Sequence, residues 1–360
     1  MKYFKYKGGK LSLPLFFPDA TRGFIKSLDT RDIEETGTPG ILVNTFHLWM
    51  GLNYKILSFF DGIAGFMGWN SALISDSGGF QVMSLIKKGV LLGKISDEGM
   101  VIYPSKKIRL VFSPEESIRF QMSLNTDLIV ALDDFTNPNS NYSEAKISVE
   151  RTIDWALRSK KEFEKIRKRK KNTYSKPYIV GVVQGGEFYE LREYCTKELV
   201  KIGFDGLGWG GWPFNKGVLN FRSAEIIASN SPSDYFLWGL GIGKPENILR
   251  CFSLGYRIFD CVLPTRDARH GRLYIDDDEF YSFYNAKLKK HELDKNPVSK
   301  NCDCLLCRTY SRAYLYHVFK VGDPSAFRLA TIHNLRFYST FMRKLKDPEY
   351  FQRLKKRLGY

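Results

Sequence analysis

Residues Tyr178–Gly186 read YIVGVVQGG, an apolar run that ends in a polar turn with two glycines. Seven more short apolar runs lie along the chain, at Leu15–Phe17, Ile41–Val43, Ala72–Ile74, Leu128–Leu132, Gly206–Trp209, Tyr235–Trp238 and Arg257–Phe259. Continuous apolar runs separated by longer helical stretches are typical of parallel strands buried on both faces. Eight such strands predict an α/β protein with a (β/α)8 TIM barrel.

Two segments depart from this repeating pattern. Residues 85–112, with glycines and short alternating apolar groups, indicate a β-rich insertion after the third strand. Residues 271–360 are basic and contain clustered cysteines, which predicts a C-terminal zinc-binding subdomain that includes the last helices and packs on the barrel. The barrel domain itself is predicted to take residues 1–270.

The composition excludes several classes of protein. A hydrophobic share of 43%, a charged share of 26% and a mean hydropathy of −0.29 exclude disordered, collagenous and coiled-coil chains. No apolar stretch has the length of a membrane helix or the character of a signal peptide, so we expect a cytoplasmic protein without a membrane partner.

The formal net charge of +16 and the pI of about 9.4 favour a polyanionic partner, with nucleic acid first. The alternative is a lysine-rich surface encoded by a genome of low GC content. One basic run, Arg167–Lys171, is interpreted as a solvated helix face.

Polar residues follow several of the predicted strands, at the end of the barrel where such enzymes place their chemistry. These residues are Asp76, Asp133, Gln184, Gly211 and Asp260. Asp76 begins a turn with two glycines and an aromatic residue, Phe80, on which a planar ligand could stack. Two carboxylates at one barrel mouth suit the cleavage of a glycosidic bond. The alternatives are a helix-capping role for Asp76 and a buried ion pair between Asp260 and Arg266.

Six cysteines are unevenly spaced, and three of them, Cys302, Cys304 and Cys307, fall within six residues. Disulfides are not expected in a reducing cytoplasm, whereas thiolates at this spacing can turn toward one ion. The pattern therefore predicts a metal site.

Nine motifs distributed over the chain resemble bacterial tRNA-guanine transglycosylases in order and spacing, from about residue 10 to 345. They are Asn44–Leu48, Ser75–Gln81, Val183–Gly186, Gly243–Glu246, Phe259–Arg266, Ala268–Gly271, Cys302–Cys307, Tyr310–Tyr314 and His333–Leu335. The resemblance implies a zinc-bearing barrel and a pentosyltransferase that acts in queuosine biosynthesis. It implies exchange of the wobble guanine of tRNAs with GUN anticodons (Asp, Asn, His, Tyr) for a 7-deazaguanine, with 7-aminomethyl-7-deazaguanine as the favoured base.

By the same resemblance, Asp260 is the nucleophile that holds the ribose covalently, and Asp76 is the general acid/base. Asp133, Gln184 and the Gly211 backbone bind the edge of the base, while Phe80 and Leu240 enclose its faces. Three cations, Lys244, Arg266 and Arg269, contact the tRNA anticodon loop. The resemblance further implies a homodimer with one structural Zn²⁺ per subunit, held by Cys302, Cys304, Cys307 and His333.

The chain departs from the family pattern in the loop Gly210–Lys216 and at Phe135, both on the side of the 7-substituent. A lysine at position 216 would repel an aminomethyl cation. One alternative is therefore a paralogue that uses a different 7-substituted deazaguanine or inserts it into DNA. The others are a non-catalytic tRNA-binding subunit and a plain N-glycosidase.

Overall fold

A computed structural model describes residues 2–105, 107–169, 176–215, 217–277 and 280–359. Eight parallel strands form one sheet in the order β1-β8-β7-β6-β5-β4-β3-β2. The strands are β1 (Leu15–Pro18), β2 (Gly40–Asn44), β3 (Ala72–Asp76), β4 (Leu128–Val130), β5 (Tyr178–Val183), β6 (Gly206–Trp209), β7 (Phe236–Gly239) and β8 (Ile258–Cys261). Each of them coincides with one predicted apolar run, and the prediction of an α/β barrel is confirmed.

The barrel closes between β1 and β2 at the carboxyl end of β1. Asp19 and Leu42 form an isolated parallel bridge. The Ala20 N–H donates to the Leu42 carbonyl at 2.7 Å, and the Asn44 N–H donates to the Thr21 carbonyl at 3.1 Å. The seam is therefore joined by fewer backbone hydrogen bonds than a regular ladder would supply.

Helices follow the barrel strands and cover the outside of the sheet, and further helices lie in the C-terminal region. Among the described residues they are α1 (Thr30–Glu35), α2 (Thr45–Gly51), α3 (Tyr54–Phe59), α4 (Ile63–Met67), α5 (Gly79–Lys87), α6 (Pro114–Leu124), α7 (Tyr142–Arg169), α8 (Tyr189–Ile202), α9 (Phe221–Ser229), α10 (Pro245–Ser253), α11 (Leu263–Arg269), α12 (Leu305–Thr309), α13 (Arg312–Val321), α14 (Pro324–Lys344) and α15 (Pro348–Arg357). None of these helices is long and apolar enough to cross a membrane.

Side chains that point inward fill the barrel with apolar atoms, because alternate residues of a strand face the same side. The inward set comprises Leu15, Phe17, Leu42, Ala72, Ile74, Leu128, Val130, Val180, Val182, Phe236, Trp238 and Ile258. A hairpin of Tyr3–Tyr6 and Gly9–Ser12 covers the amino end of the strands, where the buried Phe4 contacts Phe17, Tyr178 and Phe236. The carboxyl end is left for polar side chains.

The predicted β-rich insertion is a three-stranded antiparallel sheet between α5 and α6. Its strands are Leu92–Ser96, Gly99–Ser105 and Ile108–Phe112. Met100 and Phe112 are fully buried and belong to one apolar cluster with Phe46 and Trp155. The insertion thus packs against the helices that follow β2 and β4.

The C-terminal region contains the hairpin Arg272–Ile275 and Ser282–Asn285 and the helices α12 to α15. The long helix α14 packs on the barrel through Tyr338, whose ring centroid lies 4.6 Å from that of Phe16. The Tyr338 hydroxyl donates to the Gly243 carbonyl at 2.7 Å. Helix α15 contacts α10 through the rings of Phe351 and Phe252, 4.9 Å apart.

Candidate active site

Asp76, the last residue of β3, is held by donors from the neighbouring strand and helix. The Asn44 side-chain amide donates to its Oδ2 atom at 2.8 Å, and the Thr45 N–H donates to its Oδ1 atom at 3.1 Å. The pKa of Asp76 is raised to about 7, mainly by burial and to a smaller extent by the charge of Asp260, although these hydrogen bonds lower it. A carboxyl group with this pKa can give and take a proton near neutral pH.

The turn after Asp76 depends on glycine. Gly78 has a φ of +79°, and a Cβ atom there would lie 2.5 Å from the Cβ of Phe46. Gly79 begins α5, and a Cβ atom at this position would lie 3.0 Å from the Asp133 carbonyl oxygen. The two glycines therefore let the chain turn sharply between Asp76 and the aromatic residue Phe80.

Asp260 lies in β8 and accepts two hydrogen bonds on a single oxygen. The Trp238 indole N–H donates to Oδ1 at 2.7 Å, and the Gly241 N–H donates to the same atom at 3.1 Å. No described residue donates to Oδ2, and no ion pair with Arg266 is formed within the described part of the chain. Burial raises the pKa of Asp260 to about 6.

A third carboxylate, Asp19, lies between these two around the barrel, and sequence reasoning missed it. Barrel strands β8, β1, β2 and β3 are consecutive neighbours, so Asp260, Asp19, Asn44 and Asp76 follow one another along the rim. Burial raises the pKa of Asp19 well above its ordinary value, and the charges of Asp260 and Asp76 add to this effect. Its position directly after the first apolar run was the available signal.

The opposite half of the rim presents Asp133 and Gln184, after β4 and β5. The Gln184 amide donates to Asp133 Oδ2 at 2.6 Å, and the Ser77 hydroxyl donates to Oδ1 at 3.2 Å. Burial raises the pKa of Asp133 to about 6. The neighbouring Asp134 is instead paired with Arg151 at 2.6 Å, which leaves Asp133 as the carboxyl group available to a ligand here.

Glycines after β6 allow close approach to this amide. A Cβ atom at Gly210 would lie 2.7 Å from Gln184 Nε2. Gly211 has a φ of +77°, and its N–H makes no hydrogen bond with any described residue. The Gly211 N–H is thus a free backbone donor beside Gln184.

Arg192, on helix α8, fixes the loops that carry these groups, and sequence reasoning also missed it. Its side chain is 1% exposed. The guanidinium donates to the carbonyls of Gly186, Val183 and Gly210 at 2.8, 3.3 and 3.1 Å. Because these carbonyls belong to the turns after β5 and β6, one buried cation positions both sides of the pocket.

Phe80 and Leu240 come from opposite walls, since β3 and β7 are four strands apart in either direction around the barrel. The Phe80 ring is 42% exposed and lies 5.0 Å from the ring of Phe135, at an interplanar angle of 56°. A Cβ atom on Gly208 would lie 2.9 Å from Leu240 Cδ1, so Leu240 reaches over β6.

The predicted tRNA-contacting cations lie after β7 and β8, beyond the carboxylates. Lys244 precedes α10 and is exposed, while Arg266 and Arg269 lie on α11. Neither arginine forms an ion pair with a described acidic residue. Burial lowers the pKa of Arg269, and the nearby charge of Arg266 lowers it further. Two arginines side by side without a described acidic partner can receive anionic or polar groups of a ligand.

In the loop after β6, Trp212 is 52% exposed and its ring lies 6.2 Å from that of Phe214. Pro213 is buried. Lys216, which the sequence analysis singled out, lies outside the described residues, as do Lys170 and Lys171 of the basic run.

A second cluster forms away from the mouth, where the ligand atoms of four side chains lie within 4.8 Å of one another: Cys302, Cys304, Cys307 and His333. The Cys307 and Cys304 sulfurs lie 3.2 and 3.5 Å from His333 Nδ1. His333 Nε2–H donates to the Tyr274 carbonyl at 2.8 Å, which leaves the Nδ1 lone pair facing the sulfurs. Three thiols and an imidazole at these separations fit a tetrahedral metal ion, and the cluster could hold one.

The next residue of α14, Asn334, ties this cluster to the barrel. Its side-chain amide donates to the carbonyls of Pro264 and Arg272 at 2.9 and 3.0 Å, and its oxygen accepts from the Tyr274 N–H at 3.1 Å. Pro264 lies four residues after Asp260. Helix α14 thus contacts both the cysteine cluster and the segment behind the barrel mouth.

The family model described as queuine tRNA-ribosyltransferase matches residues 2–348. The chain belongs to this family. It is 36% identical to the queuine tRNA-ribosyltransferase of Psychrobacter sp. (strain PRwf-1) over 347 residues, which cover 94% of this chain and 86% of the relative. The corresponding proteins of Haemophilus influenzae (strain PittEE) and Pasteurella multocida (strain Pm70) are each 36% identical over 336 residues, covering 93% of this chain and 84% and 83% of the relatives.

Membership in the queuine tRNA-ribosyltransferase family confirms two predictions made from the sequence. The resemblance to tRNA-guanine transglycosylases is confirmed, and so is the assignment of the chain as a pentosyltransferase. The barrel is accordingly the scaffold of a family whose named activity is ribosyl transfer on tRNA.

Proposed function

We propose that this chain exchanges the wobble guanine of tRNAs with GUN anticodons (Asp, Asn, His, Tyr) for 7-aminomethyl-7-deazaguanine through a covalent intermediate. The observation that carries the proposal is the pair of buried carboxyl groups at the mouth, Asp76 and Asp260, which interact electrostatically and whose pKa values are raised to about 7 and about 6. One can be protonated while the other is charged, as acid and nucleophile require.

In this mechanism Asp260 Oδ2 attacks C1′ of the wobble nucleotide. Oδ1 already accepts from Trp238 and Gly241, so Oδ2 retains its lone pairs for the attack. The bond between Oδ2 and C1′ forms as the bond between C1′ and N9 of guanine breaks. The two donors on Oδ1 hold the carboxylate plane and stabilise its charge before the attack.

Asp76 moves the proton that balances the exchange. Its carboxyl group protonates the departing guanine, and the resulting carboxylate then takes a proton from the incoming base. That base displaces Asp260 Oδ2 from C1′ and restores the free enzyme. Asn44 and Thr45 donate to the Asp76 carboxylate and would stabilise it during this interval.

The donor pattern of guanine supports Asp133 as its binding group. Guanine presents N1–H and a 2-amino group side by side, and a carboxylate can accept from both. The free Gly211 N–H and the Gln184 amide lie on the same half of the rim and supply partners for O6. A base without these groups would leave buried polar atoms unpaired.

Three cations, Arg266, Arg269 and Lys244, support binding of the anticodon loop. They lie on the elements that follow β7 and β8, next to the Asp260 side of the mouth. Splayed loop nucleotides offer base edges and phosphates to such groups. The net charge of +16 would favour the encounter with tRNA.

We further propose one structural Zn²⁺ per subunit at Cys302, Cys304, Cys307 and His333. Four protein ligands complete a tetrahedral zinc ion and leave no position for an activated water, so such an ion stabilises the fold and takes no part in the exchange. Metal analysis of the purified chain tests this assignment. A folded, metal-free chain would contradict it.

A homodimer is the third part of the proposal. Phe59, Phe60 and Phe66 on and after α3 are 82%, 41% and 44% exposed, and their rings form a chain of contacts at 5.1 and 5.3 Å. Exposed apolar clusters of this kind mark protein interfaces. Sedimentation of the wild type and of Phe59→Ser would show a dimer that the variant weakens, and a wild-type monomer at all concentrations would contradict the proposal.

The exchange itself is tested with unmodified tRNA that carries a wobble guanine in a GUN anticodon. The chain is incubated with this tRNA and with separate 7-deazaguanines, and the digested nucleosides are weighed by mass spectrometry. Incorporation of the 7-aminomethyl base supports the proposal, whereas incorporation of a different deazaguanine alone would correct the choice of base. A tRNA that binds but incorporates nothing would overturn the enzymatic proposal.

A further inference from the structure

We propose that Asp19 binds the 2′-hydroxyl of the nucleotide whose base is exchanged, and thereby selects ribose over deoxyribose at that position. The proposal rests on the function proposed above. Asp19 is a substrate-positioning residue in this account, separate from the nucleophile and from the acid/base.

The register of β1 directs Asp19 into the barrel mouth. Phe17 is the partner of Asp260 in the parallel pairing of β1 with β8, and both belong to the inward-facing side. Asp19 follows Phe17 by two residues and pairs with the inward-facing Leu42 across the seam. Because alternate residues share a face, the Asp19 side chain continues the inward row of Leu15 and Phe17.

The order of the strands places Asp19 on the half of the rim that faces the sugar. Asp133, Gln184 and Gly211 follow β4, β5 and β6 and form the half proposed to bind the base. On the other half, Asp260 lies in β8, Asp19 follows β1 and Asp76 ends β3. A nucleotide whose base contacts the first half and whose C1′ contacts Asp260 presents its ribose to the second half.

The Asp19 carboxyl group is also open to a ligand. No described residue donates a hydrogen bond to its carboxyl group, although burial and the charges of Asp260 and Asp76 act on it. The Asp19 side chain is partly exposed at the mouth, so its carboxyl oxygens can accept a hydrogen bond from a bound substrate. The sugar hydroxyl next to C1′ is the 2′-hydroxyl, which can donate to a carboxyl oxygen.

The 2′-hydroxyl lies next to C1′, the atom at which the proposed exchange takes place, so a hydrogen bond from it to Asp19 can affect the reaction rate. Hydrogen bonds to the hydroxyl beside the anomeric carbon strengthen as positive charge develops on the sugar in glycosidic chemistry. A 2′-hydroxyl also distinguishes RNA from DNA at a given position. The proposed contact would therefore stabilise the transition state for a ribose substrate more than that for a deoxyribose substrate.

The test uses the full chain and two anticodon stem-loop RNAs that differ only in guanosine or 2′-deoxyguanosine at the wobble position. Exchange of labelled guanine into each RNA gives kcat and KM without a choice of deazaguanine. We expect the wild type to prefer the ribose substrate by about 5- to 100-fold in kcat/KM, the range for leaving an acceptor in a closed site unpaired. Asp19→Val should lose this preference by slowing the ribose substrate and leaving the deoxyribose substrate within about twofold.

Asp19→Asn keeps an acceptor oxygen and should retain most of the preference. Asp234→Val is the matched control, since Asp234 is exposed and precedes β7 at the opposite end of the barrel. Equal slowing of both substrates by Asp19→Val would mean a structural role and overturn the inference, as would an unchanged preference. Absence of guanine exchange in the wild type on the ribose RNA would instead overturn the proposed function, and the inference with it.

Discussion

The barrel mouth and the cysteine cluster both gather polar side chains from distant parts of the chain, but they differ in how those side chains are satisfied. His333 donates to the Tyr274 carbonyl and turns its other nitrogen toward the sulfurs, so the cluster is complete once an ion is bound. At the mouth, Asp260 Oδ2 and the Asp19 carboxyl group have no described donor. The difference teaches that side chains which converge on one another suit a structural ion, whereas carboxyl oxygens left without a protein donor can serve a substrate.

The largest effect on this comparison is expected from changing Asp260, whose Oδ2 atom has no described donor at the mouth. Asp260→Asn should abolish the covalent tRNA adduct and lower the exchange rate by at least about a thousandfold, because an amide is a poor nucleophile. A denaturing gel of protein with labelled tRNA measures the adduct, and tRNA affinity should stay within a few fold. An adduct that persists in this variant would refute Asp260 as the nucleophile.

The corresponding change in the cluster should act on stability instead of chemistry. Cys304→Ser should prevent binding of the proposed zinc and lower the free energy of unfolding by about 4 kcal/mol, as expected for loss of a structural metal. Cys251→Ser, at a buried cysteine outside the cluster, is the matched control and should leave the zinc content unchanged. Full zinc content in Cys304→Ser would contradict the assignment of this ligand.

The raised pKa of Asp260 at the mouth should also make the free energy of unfolding depend on pH. Because the pKa of Asp260 is raised to about 6, the folded state holds this proton more tightly than the unfolded state does, and stability is lost as the pH rises from about 4 to about 6. Asp260→Asn removes that loss and should stabilise the fold by about 3 kcal/mol above pH 6.

Urea unfolding of the wild type and Asp260→Asn at pH 4.5, 6 and 7.5 measures this difference. The stabilisation should be smallest at pH 4.5 and should reach a plateau above pH 6. A variant that is less stable than the wild type at pH 7.5 would show that the charge of Asp260 is fully compensated by Trp238 and Gly241.

The smallest expected effect is on the binding of RNA by Arg266 at the rim of the barrel mouth. Arg266→Gln should weaken binding of an anticodon stem-loop by about three- to tenfold and reduce the slope of log affinity against log salt by about one. Arg167→Gln on α7, where Arg167 pairs with Glu164 at 2.7 Å, is the control. Equal effects of the two variants would remove Arg266 from the binding surface and leave general charge as the explanation.

Most of the barrel could be predicted because its strands are short, apolar and buried on both faces. The runs at Ile41–Val43 and Ala72–Ile74 are examples, since both become barrel strands that end in polar side chains. The N-terminal hairpin was not predicted. Its first strand, Tyr3–Tyr6, has only one buried side chain among four residues, and only the barrel end that Phe4 covers explains the burial of that side chain.

The missed residues of the mouth have a common physical reason. Asp19 and Asp260 are 241 positions apart, and only closure of the sheet brings their strands together. Arg192 lies in an amphipathic helix, where arginine ordinarily faces solvent, and its burial depends on carbonyls of two turns that the sequence pattern does not join. Sequence patterns predict elements well, but they do not show which elements become neighbours.

Helix α14 carries His333, Asn334 and Tyr338 within six residues, and these side chains contact the cysteine cluster, the Pro264 carbonyl and the Gly243 carbonyl. A chain that folds without its proposed zinc would lose the ligand that fixes the first of these contacts, and the same helix supports the segments on either side of Asp260. The nutritional supply of a trace metal would then set how many working copies a cell obtains. Decoding by the ribosome would depend on that supply through tRNA modification, although the proposed ion takes no part in the exchange at the barrel mouth.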